Sequence, residues 1–297
     1  MAGSRADGSF TRYLLSKQTV DDRAINRHVL DALVANLPKR RLRVLEIGAG
    51  VGNMLARLLS WRVLVQADYM LEDSMPENIR FASQWLPRWA SRNGMRVGDL
   101  GAQSFRITDQ ARDVKVTLLQ QDFSALVSLT PEPADLLVAN SFLDLLRLPE
   151  DLPRLLSLTH DLAWLTLNFD GLTAFEPSFD RALDEQIIRL YHRSMDERPT
   201  GGDSQTGRHL LSQLGGLRAE VIEAGASDWV VYPRDGAYPE DEAYFLECIL
   251  GFFEESLLRH PELEPGAFES WLAARRAQIR SGNLVYIAHQ LDVLARV

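Results

Sequence analysis

The chain has 297 residues, 46% hydrophobic and 25% charged, with a formal net charge of −9, which allows one large domain or a core domain with a cap. The acidic balance argues against nucleic acid as substrate, since phosphate contacts need a basic surface, and the lone Cys248 excludes an internal disulfide or a multi-cysteine zinc site. No apolar run approaches the ~20 residues that span a bilayer and no secretory segment opens the chain, so the expectation is a cytoplasmic protein with a small-molecule substrate, no membrane partner and homodimer formation left open.

Residues 1–9 are small and polar and predict an unstructured start. From Asp21 to Leu37 the apolar Ile25, Val29, Leu33, Val34 and Leu37 keep helical spacing, with Asp21 and Asp22 as capping acids and Pro38 as the stop. Residues 1–38 are therefore expected as a helical cap on a domain of residues 39–297. The basic cluster Lys39, Arg40, Arg41 and Arg43 reads as a solvated connection to the first strand, Leu42–Ile47. That strand ends beside three alternating glycines, Gly48, Gly50 and Gly52, followed by Asn53. Such a turn lets backbone approach a ligand closely, and the helix that follows offers free N–H groups. A second apolar run, Val63–Ala67, ends in Asp68, an acid suited to the hydroxyls of a ribose.

Further strands are expected at Val114–Leu119, Asp135–Ala139 and Ala163–Asn168, with helical patterns between them. Alternating β and α predicts an α/β fold with a doubly wound, mostly parallel sheet. Later candidates are Ala219–Glu223, running on through Trp229–Tyr232, and Leu284–Ala288. The long connection after Asp68 holds a helix at Ile79–Leu86, a break or kink at Pro87 and a hairpin near Ser104–Thr108. Two more insertions, at about 169–217 and 225–283, are expected to build a helical lid, the second from helices at Asp241–Arg259 and Ala267–Ser281.

The pattern Glu46-x-Gly48-x-Gly50-x-Gly52 resembles the first motif of the class I S-adenosylmethionine-dependent methyltransferases. The resemblance covers roughly Leu42 to Asn168 and the final strand. It implies a Rossmann-like, seven-stranded sheet whose last strand inserts antiparallel near one edge. It also implies that Gly48, Ala49, Gly50, Gly52 and Asn53 cradle the methionine part of the cofactor and that Glu46 helps hold its ammonium. Asp68 would take the ribose and Tyr69 would pack near the adenine. Asp122 and the Phe123 backbone would meet the adenine amine, and Asn140 and Ser141 would orient the methionine end or the substrate. A dinucleotide fingerprint would need its third glycine where Asn53 stands, which speaks against an NAD-dependent oxidoreductase without removing it. A non-catalytic cofactor-binding regulator or partner subunit is the other alternative.

Methyl transfer from a sulfonium draws most of its rate from alignment in a dry pocket, and a base is needed only where the acceptor must lose a proton. His192 and Asp170 are the candidates for catalytic groups. Tyr13 and Arg23 near the chain start, with Lys17 between them, and Asp203 and Arg208 in the glycine-bracketed loop are candidates for gripping substrate. Asp144 reads as a base or, more simply, as an acid at a helix start. No metal-ligand spacing occurs, so no metal is expected.

Overall fold

Five apolar runs form the parallel centre of the sheet. The computed structural model describes residues 9–101, 103–129, 132–199, 201–217 and 219–297. Of the expected unstructured start only Ser9 is described, and it opens helix α1 (Ser9–Ser16); residues 1–8 lie outside. Next come α2 (Gln18–Ala24), α3 (Arg27–Asn36), strand β1 (Leu42–Ile47), α4 (Asn53–Ser60), β2 (Gln66–Asp73) and α5 (Pro76–Arg92). An edge hairpin of β3 (Arg96–Gly101) and β4 (Ser104–Thr108) leads to β5 (Asp113–Gln120), α6 (Phe123–Leu129) and β6 (Ala134–Asn140). A 3-10 turn at Leu143–Leu145 and α7 (Leu152–Leu156) precede the long strand β7 (Thr159–Glu176). The remainder is α8 (Arg181–Asp196), α9 (Thr206–Gly216), β8 (Glu220–Ala226), β9 (Trp229–Val231), α10 (Glu242–Leu257), α11 (Pro265–Arg280) and β10 (Val285–Arg296).

The strand order is β3-β4-β5-β2-β1-β6-β7-β10-β8, with β9 also on β10. β5, β2, β1, β6 and β7 pair in parallel, while β10 inserts antiparallel between β7 and β8. This is the expected doubly wound, Rossmann-like arrangement. The sheet has ten strands rather than seven, because the edge hairpin and the short β9 add to it. β9 is a separate strand rather than a continuation of β8. Helices α3, α4 and α5 pack on one face of the sheet around Leu33, Leu55, Leu58, Tyr69 and Leu86. The other face is covered through Leu126, Leu152, Leu155, Leu210 and Leu214. In a third core, Phe245, Phe253, Trp271 and Ile187 pack on the far halves of β7 and β10. Among the described residues no helix is long and apolar enough to cross a membrane.

Three expected boundaries move, each for a local reason. The helix expected over 21–37 splits at Ile25, because Asn26 takes extended backbone and caps α3, its Oδ1 accepting from His28 N and Val29 N. Pro87 does not break α5. The stripe Ile79, Ala82, Leu86 and Ala90 buries one continuous face, and that burial outweighs the ~3 kcal/mol cost of an internal proline. β2 starts later and ends later than expected. Val63 and Leu64 belong to the turn after α4, where both amides donate to the Leu58 carbonyl, and the strand runs on to Asp73.

Candidate functional site

The carboxyl ends of β1, β2 and β6 meet at one place, the edge where ligands bind in doubly wound sheets. β1 delivers the glycine turn, in which Gly48, Gly50 and Gly52 have φ of +60°, +56° and +85°. β2 delivers Glu72 and Asp73, both buried. Glu72 Oε2 accepts from Gly48 N at 3.2 Å and Asp73 Oδ2 accepts from Gly50 N at 2.8 Å. The Ala49 amide donates to the Glu72 carbonyl. Asp73 is further tied at Oδ1 by Met75 N and Asn78 Nδ2, so its carboxylate shapes the turn. Glu72 keeps its second oxygen without a hydrogen bond among the described residues.

Asp68 is not at this edge. In the parallel register it sits opposite Arg43, whereas Glu46 sits opposite Leu71. Four residues of strand, roughly 13 Å at about 3.3 Å each, separate Asp68 from Glu72. Its carboxylate accepts from Arg41 at 2.9 Å at the amino end of the sheet. The basic cluster there is equally engaged. Arg41 also reaches Asp113, Arg40 binds Asp135 in a fork, and Arg43 pairs with Glu132. The cluster stays largely solvated, with Arg40 57% and Arg43 47% exposed, as expected of a connection to β1, while the Arg41 contact corrects the ribose assignment of Asp68.

Two more expectations are corrected by burial. Tyr69 points into the core and donates its hydroxyl to Glu46 Oε2 at 2.6 Å, so its ring is not at the ligand edge. Glu46 is itself sealed beneath the turn, and burial holds its carboxyl up at about 8. Burial likewise lifts Glu72 to about 8. Because these folded values lie above the ordinary carboxylate range, the unfolded chain releases the protons first as pH rises. Stability contributed by the two protonated acids is therefore present below about 4.5 and lost towards pH 8. Thermal unfolding between pH 5 and 8 should show Tm falling with pH and a shallower slope in Glu46→Gln. An unchanged slope would show Glu46 ionised throughout.

The close approach that the glycines permit is used by the chain's own side chains. A Cβ on Gly48 would lie 2.3 Å from the Phe142 ring, and one on Gly50 would lie 3.0 Å from Leu14 of α1. Asn53 Nδ2 donates to the Leu14 carbonyl at 2.6 Å, while its Oδ1 is buried without a partner among the described residues, as is Oδ1 of Asn78. Ser141, at the tip of β6 with φ +51°, accepts from Lys17 Nζ at 3.2 Å. Asn140 Oδ1 instead accepts from Thr166 within the sheet. Asp122 accepts from Ser124 N and so caps the turn into α6, and the Phe123 ring meets Phe142 edge-on.

The remaining candidates separate by whether a charged partner holds them. Arg23 forks onto the buried Glu242, so it anchors the N-terminal helices to α10 rather than facing a ligand. Asp170 and Arg208 neutralise each other through two side-chain hydrogen bonds, at 2.9 and 3.0 Å. Asp203 holds His209 and the Gln205 amide. His192 is different. It lines a cleft of about 500 Å³ between the β7 extension and α8, together with Thr173, Ile188 and Arg189. Its Nε2 lies 3.0 Å from Thr173 Oγ1, and burial lowers its pKa, which keeps the ring neutral at pH 7. Asp144 stands in the first turn of the 3-10 helix after β6, the helix-start position expected of it. Its Oδ1 is buried with no partner among the described residues, and burial raises its pKa.

No protein-family model matches the chain, and no curated protein matches it. Solved structures do. A cyclopropane-fatty-acyl-phospholipid synthase-like protein from Lactobacillus casei is 12% identical, with 95% of this chain and 91% of that chain covered and a TM-score of 0.50. A cyclopropane synthase from Mycobacterium tuberculosis is 12% identical over 98% and 94% of the two chains, with a TM-score of 0.47. A mycolic acid cyclopropane synthase solved with SAH is 10% identical over 94% and 83%, with a TM-score of 0.45. At 12% identity the likeness to the Lactobacillus casei protein shows the fold alone, a Rossmann-like doubly wound sheet.

Proposed function

We propose that this protein binds S-adenosylmethionine at the Gly48–Gly52 turn and transfers its methyl group to a small molecule. The observation that carries the reading is the pairing of that turn with Glu72 and Asp73 at one sheet edge, corrected from Asp68. The donor set suits this cofactor. Three buried acids, Glu46, Glu72 and Asp73, all have raised pKa values because of burial, and an incoming cation would relieve that. The free oxygen of Glu72 suits a ribose hydroxyl, and the unpartnered Asn53 and Asn78 oxygens suit donors on a ligand.

When bound, the cofactor supplies an activated methyl group on sulfur. The protein's part is to place the acceptor and keep water out. Leu14 and Phe142 lie over the turn, so binding must displace both side chains and move α1 with them. Lys17 fixes Ser141 at the tip of β6. A neutral His192 can accept a proton from an acceptor that must lose one.

The same packing of Leu14 and Phe142 favours a second reading, a cofactor-binding protein without turnover. Incubation with S-adenosylmethionine carrying a labelled methyl group and a small-molecule extract separates the two. The methyltransferase reading expects label in a new metabolite; label remaining on the cofactor while binding is intact supports the second.

A further inference from the structure

The cleft between the β7 extension and α8, of about 500 Å³, is large enough for a small molecule. Its position ties it to the ligand edge. Thr166 of β7 pairs with Asn140 at the tip of β6, and Phe169, a little further along β7, meets the His192 ring edge-on with centroids 5.2 Å apart. A Cβ on Gly202 would lie 2.6 Å from the Met195 carbonyl and 3.5 Å from that of Asp144, so the carboxyl end of α8 stands beside the turn after β6. Tyr13, a candidate for gripping substrate, stacks on Phe245 with ring centroids 6.0 Å apart and packs in the third core.

Besides His192, the charged residues lining the cleft are Glu185, Arg189, Arg193 and Asp196, and all but one have partners. Glu185 binds Arg181 at 3.0 Å, Arg193 binds Glu262, and both oxygens of Asp196 accept from Ser204. Arg189 has neither a hydrogen bond nor an ion pair among the described residues. Its field reaches Glu262, but Arg193 holds that carboxylate. His192 is engaged on one side only. Its Nε2 meets Thr173 Oγ1, while Nδ1 has no partner among the described residues and is not sealed from solvent. Arg189 and His192 are neighbours on one face of α8, with about 4.5 Å of helix rise between them. Ile188 and the half-exposed Leu172 supply apolar surface beside them.

We infer that this cleft binds a small hydroxy acid with an apolar body, its carboxylate on Arg189 and its hydroxyl on His192 Nδ1. A single free guanidinium calls for a single negative charge, and its planar fork matches a carboxylate. Asp196, beyond His192 along α8 from Arg189, disfavours a dianion such as a phosphate monoester. The tautomer is part of the assignment: Nε2 donates to Thr173 Oγ1, Nδ1 presents a lone pair, and the group it takes is a donor. The apolar body covers Leu172 and Ile188. The inference rests on the proposed methyl transfer only in making that hydroxyl the acceptor, whose oxygen takes the methyl while its proton passes to Nδ1 and the sulfur keeps the bonding pair.

The test uses the full chain without cofactor, labelled with ¹⁵N in the histidine rings, with His192 assigned from His192→Gln. The probes are para-hydroxybenzoate, its neutral analogue para-hydroxybenzamide, and benzoate. Before any ligand, Nδ1 of His192 should read as the unprotonated nitrogen at pH 7. Para-hydroxybenzoate should shift it saturably, and each control should bind roughly fivefold or more weakly. Arg189→Gln, at an exposed position, should keep Tm and weaken para-hydroxybenzoate roughly tenfold while leaving the amide unchanged. The inference is overturned if Nδ1 carries the proton or does not move, if either control binds as tightly, or if Arg189→Gln keeps full affinity for para-hydroxybenzoate. Titration with S-adenosylhomocysteine on the same sample keeps the two readings apart. Para-hydroxybenzoate binding without it leaves the hydroxy-acid site standing and removes methyl transfer, and the reverse removes this site alone.

Discussion

Asp21→Ala should cost about 3 kcal/mol of folding stability, at the lower end of the ~3–5 kcal/mol expected when a buried ion pair loses one partner. Asp21 is fully buried. Its Oδ1 accepts from Trp229 Nε1 at 2.9 Å, and Oδ2 lies 3.3 Å from Lys17 Nζ and 3.7 Å from Arg57. Truncation leaves two buried cations facing each other. The lower end applies because Arg57 retains Asp22 at 2.5 Å. Denaturant unfolding reads the loss directly, and a change below about 1 kcal/mol would show that the cluster rearranges to reach water. The effect bears on function because the same cluster docks α1 and α2 over the glycine turn.

Glu72→Ala should weaken S-adenosylhomocysteine binding by about 1–3 kcal/mol, a loss of roughly fivefold to 150-fold, if its free oxygen takes a ribose hydroxyl. Asp68→Ala should leave that affinity within about threefold, since Asp68 makes only a half-exposed ion pair worth ~0–1 kcal/mol. The two variants discriminate between the edges of the sheet. Weaker binding in Asp68→Ala with full binding in Glu72→Ala would reverse the assignment.

The glycine turn was legible because it is local: Gly48, Gly50 and Gly52 follow an apolar strand within a few residues, and their positive φ values need no distant partner. The parallel core strands were legible for a related reason, since strands buried on both faces read as continuous apolar runs. Asp68 misled because the run Val63–Ala67 imitates a strand, while the true strand continues through Tyr69, Met70 and Leu71 to a second acid pair, Glu72 and Asp73. The signal was present in Glu72 and Asp73, seven and eight residues after Val65. Other features were not legible because they depend on chain segments far apart. Arg23 reads as a substrate contact until Glu242, 219 residues away, arrives beneath it. Nothing near Gly48 announces that Phe142 fills the space over it. Tyr191 and Tyr286 become neighbours of Tyr13 only once α8 and β10 close around α10.

Calorimetric titration of the protein with S-adenosylhomocysteine, run beside NAD in two buffers of different ionisation enthalpy at pH 7, is the most direct measurement. Saturable heat with S-adenosylhomocysteine alone is predicted, accompanied by proton release as the ligand's positive charge lowers the raised pKa values of the buried acids beside the glycine turn. Silence at millimolar S-adenosylhomocysteine, or equal heat with NAD, would contradict the account at its root.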